Sequence, residues 1–327
     1  MDPLRRIAAL RDVGRVATED GVEWVRLQLL DAFRRSMGTK EEPPPACQDP
    51  EVAFFPPGCI TREMHADVPP MLIGGVAALL FQMLHPLAMA GVADHSNFRR
   101  DPVGRLERTA TFLTVTTYHS RAEAEAAIGR VRRLHQTVVG TARDGRPYSA
   151  TDPALVEWVH ATEVHSFLAA WRAFGHRSLT AAEQDRYLAE MARVAIGLGA
   201  RAEAVPRTVD ELEAYFERVR PELAMTPEAR SARDFIVRGV GRWPHELATY
   251  ALLVAAAQST IPGWARRQLG LVSIPAGDRL VVRPAARALA SAMRWVVAAR
   301  PEAGPEPRAG SRSAGTVGAA TKDPTAA

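Results

Sequence analysis

MLIGGVAALLFQMLHPLAMAGVA, residues 71–93, contains no Asp, Glu, Lys or Arg and is long enough to cross a bilayer, so its reading decides between a membrane protein and a helical globule. Against a span stand Gln82, His85, Pro86 and the paired Gly74 and Gly75, and neither flank carries an aromatic belt or a clear arginine bias. The stretch therefore reads as a helix buried on all sides. Pro86 lacks an amide donor and its ring clashes with the preceding turn, so it is expected to kink or break that helix. A broken, wholly apolar helix is a suitable pocket wall.

The residues around it point the same way. Of 327 residues, 47% are hydrophobic and only 6% aromatic, and a mixture dominated by Ala, Leu, Arg and Glu favours helix over strand. Helix starts recur. TDPALVEWVH offers Thr151 or Asp152 as cap with Pro153 in the first turn, TAAE at 180 and TVDE at 208 are capping boxes, and TPEAR at 226 repeats the cap-then-proline pattern. ATFLTVTTY, residues 110–118, is β-branched and reads either as a brief strand or as the end of a buried helix. The expected fold is all-α, a single helical domain over residues 46–300.

Two flanking segments stand apart. Residues 1–45 read as an amphipathic helical arm, with Leu27, Leu30 and Phe33 on one face, ending in the breaker run EEPPPACQDP at 41–50. Residues 301–327 hold one Val and no Leu, Ile or aromatic residue, too little apolar surface to offset the entropy of ordering, so a disordered tail is expected.

Charge and cysteine content narrow the function classes. The formal charge of +4 is a weak field at this length. Arg130, Arg132 and Arg133 lack the interleaved aromatics of a stacking platform, which argues against nucleic-acid binding. Cys47 and Cys59 form neither CxxC nor CxxCH, so structural zinc and covalently attached haem are not expected. The N-terminus shows no cleavable apolar segment, giving a cytoplasmic expectation. Arg34 and Arg35 after an apolar face leave peripheral membrane contact open. The sequence assigns no oligomeric state.

Neither a P-loop, a GxGxxG after a strand, nor a GxSxG elbow is present. Three constellations remain. In EWVH, Glu157 and His160 share a helix face, as in carboxylate-bridged di-iron bundles, but no second ExxH accompanies them. A hydrogen-bonded histidine beside Trp158 is the plainer reading. In RVRRLHQTVVG, residues 130–140, His135 falls within the stripe Ala127, Ile128, Val131, Leu134 and Val138 of a helix expected over 121–139, and so faces inward. It reads as a packed core residue, a general base or an iron ligand. In RLERT, Arg105, Arg108 and Thr109 share a helix face, either as a cationic patch beside a pocket or as a solvated surface.

In order and spacing, HP at 85, DHS at 94–96, F..DP..R..RT from Phe98 to Thr109, RRLH..V.G around His135, Y.A.DP....WVH from Tyr148 to His160 and VP.T..EL..YF from Val205 to Phe216 resemble one family. It comprises the latex-clearing proteins or rubber oxygenases, the ER-bound MpaB-type oxygenases and bacterial relatives. The resemblance implies a globin-related helical core that binds b-type haem noncovalently, with His135 as proximal iron ligand. It also implies reaction of O2 with isoprenoid double bonds, giving carbonyl products. Arg105, Arg108 and Thr109 match the distal-side motif; His95 and His160 are lower-ranked positions for proton relay.

Two departures bear on the reaction. Rubber-cleaving enzymes carry a lysine that can occupy the sixth iron site where this chain has Arg108, and a guanidinium has no lone pair to give. They also place a glutamate upstream of the arginine motif, whereas residues 70–93 here hold no carboxylate and Asp94 is the nearest acid. The expected function is thus a haem b-dependent oxygenase or related oxidase acting on a small apolar terpenoid or lipid rather than on polyisoprene. The alternatives are a non-catalytic binding protein for an apolar ligand or haem, and a di-iron oxidase on Glu157 and His160.

Overall fold

A computed structural model describes residues 46–238, 244–271 and 274–297. The N-terminal arm and the C-terminal tail expected from the sequence lie outside the described residues. Helix α1 (Ile60–Ala66) is capped by Cys59, whose sulfur accepts from the Arg62 amide, and α2 (Val68–Gln82) begins with prolines in its first turn. The two meet at Asp67 with a 92° bend. The apolar stretch breaks as its proline requires: α2 ends at Gln82, and Pro86 is the first residue of α3 (Pro86–His95), where a missing amide costs nothing. Among the described residues no single helix is long and apolar enough to cross a membrane; only the bent pair α1 and α2 passes a test of length and composition, and only jointly.

Helix α4 (Pro102–Tyr118) is capped by Asp101, which accepts from the Gly104 amide at 2.9 Å. ATFLTVTTY is its C-terminal half. Thr116 returns its hydroxyl to the Phe112 carbonyl at 2.9 Å, which lets a threonine-rich stretch remain helical. Ser120 and Glu123 form a full capping box at the start of α5 (Arg121–His135). A two-stranded antiparallel hairpin follows, β1 (Val139–Thr141) against β2 (Pro147–Ser149), with Gly140 opposite Tyr148. Then come α6 (Pro153–Phe174), α7 (Ala181–Leu198), α8 (Val209–Val219), α9 (Pro227–Arg238), α10 (Pro244–Thr260), α11 (Gly263–Gln268) and α12 (Arg283–Val297). The fold is all-α apart from the hairpin.

The caps largely follow the sequence. Asp152 caps α6, Thr180 and Glu183 form a reciprocal box on α7, and Thr226 accepts from the Ala229 amide at 3.2 Å. The box expected at 208 is only half made: Thr208 caps α8, but Glu211 turns back to the Arg207 amide at 2.7 Å. Helix α7 stops after Leu198, with Gly199 left-handed at φ 115°.

The core is built on α2 and α6, which run antiparallel. At one end Gly74 lies so close to α6 that a Cβ there would stand 2.7 Å from Phe167 Cδ1. At the other, Trp158 Nε1 donates to the Gln82 carbonyl at 3.0 Å. Phe81, Trp158, Phe216 and Trp264 cluster around that end, Phe81 meeting Trp158 and Trp264 edge to face at 5.5 Å each and Phe216 in a tilted pair at 5.0 Å. Helix α2 is not buried on all sides, as its composition suggests: Leu79 is 37% exposed. Leu72, on the same face as Leu79, and Ile73 wall an apolar crevice with Leu253 of α10 and Ala290 and Met293 of α12. Arg294 of α12 closes the domain by donating to both carboxylate oxygens of buried Asp67, at 2.8 and 2.9 Å.

Candidate functional site

His135 is the last residue of α5, which ends four positions earlier than the apolar stripe suggests. Gln136 and Thr137 turn the chain, the Val138 amide donates to the His135 carbonyl at 3.1 Å, and β1 begins. The stripe itself is only half buried. Ala127 and Ile128 are in the core, Val131 and Val138 are intermediate, and Leu134 is 65% exposed. The reason lies in the α4–α5 hairpin. Its closed end, with Thr116, Thr117 and Ala124, is buried, whereas Thr109 and Ala110 on α4 and Arg132 to Leu134 on α5 are exposed at the open end. Periodicity marks which residues share a face; it does not say how far along the helix a partner follows.

The His135 ring is half-buried, its Nδ1 lies out of reach of solvent, and no described residue hydrogen-bonds to it. Burial alone pushes its pKa down, which favours the neutral imidazole. A neutral imidazole with an unsatisfied nitrogen is what an iron ligand must be, and leaving such a nitrogen without any partner costs about 1–3 kcal/mol. The residue present therefore fits a b-type haem. His119, His160 and His165 also carry an unpartnered buried Nε2. His119 and His160 are themselves buried, and the His165 ring lies between Phe81 and Phe216 at 5.7 and 5.4 Å.

The RLERT residues do not form one patch. Arg105 is half-buried and donates to Ser96 Oγ; burial first, and Arg108 second, pull its pKa down. Arg108 points to solvent and pairs with Asp101 at 3.3 Å. Thr109 is exposed and returns its hydroxyl to the Arg105 carbonyl at 3.0 Å. No hydrogen bond or ion pair among the described residues links these three to His135, although the hairpin places both groups toward its open end. Arg130, Arg132 and Arg133 are exposed on the solvent side of α5.

His95 is exposed at the end of α3, with Nε2 3.2 Å from the Val139 carbonyl. Beside it Asp94 accepts from the Tyr148 hydroxyl at 2.6 Å. His160 lies in the core, and burial pushes its pKa down to about 4, so it is a neutral imidazole near neutrality. Its helix partner Glu157 is already engaged: Arg201 donates to it from the backbone at 3.1 Å and from Nε and Nη2 at 2.8 Å each. A carboxylate so satisfied is a poor bridging ligand. Among the described residues no three His, Cys, Asp or Glu side chains come together to hold a metal ion.

The structure adds groups that the motifs did not flag. His65 bridges the Thr117 hydroxyl at 2.8 Å and the Tyr187 hydroxyl at 3.4 Å, and Glu163 stands half-buried on α6 without a hydrogen-bond partner among the described residues. Glu163 belongs to no motif picked out above, and the approach of α1 to α7 leaves no local signal.

A family model described as the catalytic domain of ER-bound oxygenase mpaB/B′ and rubber oxygenase matches residues 62–295. No curated protein matches the sequence. Among solved structures, a latex clearing protein, LCP, in its closed state is similar, with a TM-score of 0.48, 18% identity, and coverage of 72% of this chain and 67% of that one.

Proposed function

The chain belongs to the family of ER-bound oxygenase mpaB/B′ and rubber oxygenase catalytic domains, and from that premise we propose that it is a haem b-dependent oxygenase acting with O2 on a small apolar substrate. The domain from 46 to 300 is the catalytic unit on this reading. The observation that carries the haem assignment is His135, whose buried Nδ1 no described residue satisfies. Haem bound there supplies the redox-active iron for oxidative cleavage of a carbon–carbon double bond.

The chain's own residues prepare the place. Burial of the His135 ring disfavours its protonation and so favours a free lone pair. Arg105, held by Ser96 and partly withdrawn from water, offers a fixed cationic donor, whereas Arg108 is engaged with Asp101 and carries no lone pair to compete for iron. The nearby carboxylate Asp94 is committed to Tyr148, so the family's upstream glutamate has no counterpart there. The apolar surfaces of α2 suit a terpenoid or lipid better than a polar substrate.

The test is the absorption spectrum of protein expressed with added haem, together with haem and iron stoichiometry. A Soret band that His135→Ala abolishes, and that Arg105→Ala and Thr109→Ala retain, is expected. Colourless, iron-free wild-type protein refutes the assignment, and iron without porphyrin redirects it to a carboxylate site.

A further inference from the structure

Tyr148 joins three segments that the sequence keeps apart. Its hydroxyl donates to Asp94 Oδ2 at 2.6 Å, and its ring is buried against α3, where a Cβ on Gly91 would stand 3.5 Å from it. Across the hairpin it faces Gly140, and a Cβ there would run into the Tyr148 hydroxyl. Next to Asp94, His95 reaches the Val139 carbonyl at 3.2 Å and meets the Tyr148 ring edge-on at 6.2 Å. Asp94 and His95 thereby hold β2 and β1, one each, to the end of α3.

The hairpin in turn holds the end of α5. The Val138 amide donates to the His135 carbonyl at 3.1 Å, and the Val138 carbonyl accepts from the Ala150 amide at 2.9 Å. Arg132, Arg133 and Leu134 in the last turn of α5 are exposed, so side-chain packing does little to fix that turn. The chain leaving His135 does more.

We infer that Tyr148, through its hydrogen bond to Asp94, is a positioning residue for His135, clamping the hairpin on α3 so that the end of α5 has one place to stop. Burial, and then the bond to Asp94, push the phenol up to about 12, so Tyr148 remains a donor throughout the physiological range. Gly140 is required because the clamp occupies the space of a side chain. The inference rests on the haem reading only for its second readout.

Tyr148→Phe removes the hydroxyl and keeps the ring; Asp94→Ala removes the acceptor at an exposed position. The first readout is hydrogen exchange of the Val138 and Ala150 amides in haem-free protein. The second is haem release to a scavenging protein, with the iron–histidine stretching band of the reduced, loaded protein. Exchange and haem release are each expected to speed up about tenfold, with the stretching band shifted, thermal midpoints within a few degrees, and the double variant no worse than Tyr148→Phe. Exchange and release within twofold of wild type in both single variants overturns the clamp. If wild-type protein takes up no haem, the functional assignment fails while amide exchange still decides the clamp. If Tyr148→Phe does not fold, Asp94→Ala decides it alone.

Discussion

Glu163 is half-buried on α6, close enough to Tyr187 of α7 for its charge to bear on that phenol. Burial pushes its carboxyl up to about 7. The unfolded chain releases this proton near pH 4.5, so the folded state holds it longer and loses stability as pH rises from there to about 7, after which the penalty is constant. Glu163→Gln is therefore expected to match wild type at pH 4 and to exceed it by on the order of 2 kcal/mol at pH 8, as measured by urea unfolding at both values. Equal stability differences at the two values refute this. The charge on Glu163 was not legible in the sequence, because burial depends on the helices that pack around α6 rather than on its neighbours in the chain. His135 was legible in part: periodicity assigned it to an inward stripe, but Leu134, 65% exposed, shows the stripe outlasting its partner.

At the scale of elements, the paired glycines of α2 separate propensity from packing. Gly74→Ala places a methyl 2.7 Å from Phe167 Cδ1 and 3.0 Å from the Ser166 carbonyl. The substitution is expected to lose about 1–3 kcal/mol despite the helical gain of alanine. A Cβ on Gly75 meets nothing within 4 Å, so Gly75→Ala is expected to gain about 0.5–1 kcal/mol. Urea midpoints moving in the same direction for both variants contradict this assignment of the seam. Caps are local and were read well: Thr180→Ala breaks a reciprocal box and is expected to cost about 1 kcal/mol in the same measurement. Pro86 was equally legible, since its missing amide and fixed φ act within one turn. The half-made box on α8 was not, because Glu211 chose the Arg207 amide, a contest no motif records.

Across the whole molecule, the contact that closes the domain joins Asp67 to Arg294, 227 positions apart. Neither residue belongs to a recognisable pattern, and only the folded chain pairs them. Asp67 also takes a contact from His176 at 3.3 Å, so it ties α12 and the end of α6 to the bend between α1 and α2. Arg294→Ala leaves a carboxylate buried with half its donors gone and is expected to cost about 3 kcal/mol; Asp67→Asn with Arg294→Ala should cost less, because no charge is stranded. A double variant weaker than Arg294→Ala alone refutes the stranded-charge account. The graded burial of the α4–α5 hairpin has a consequence of another kind. Changes near its turn draw on the folding energy of the whole chain, whereas changes near its opening, where Arg105 and His135 stand, draw on little of it. Selection can therefore revise the chemistry at one end of the hairpin without renegotiating the fold at the other.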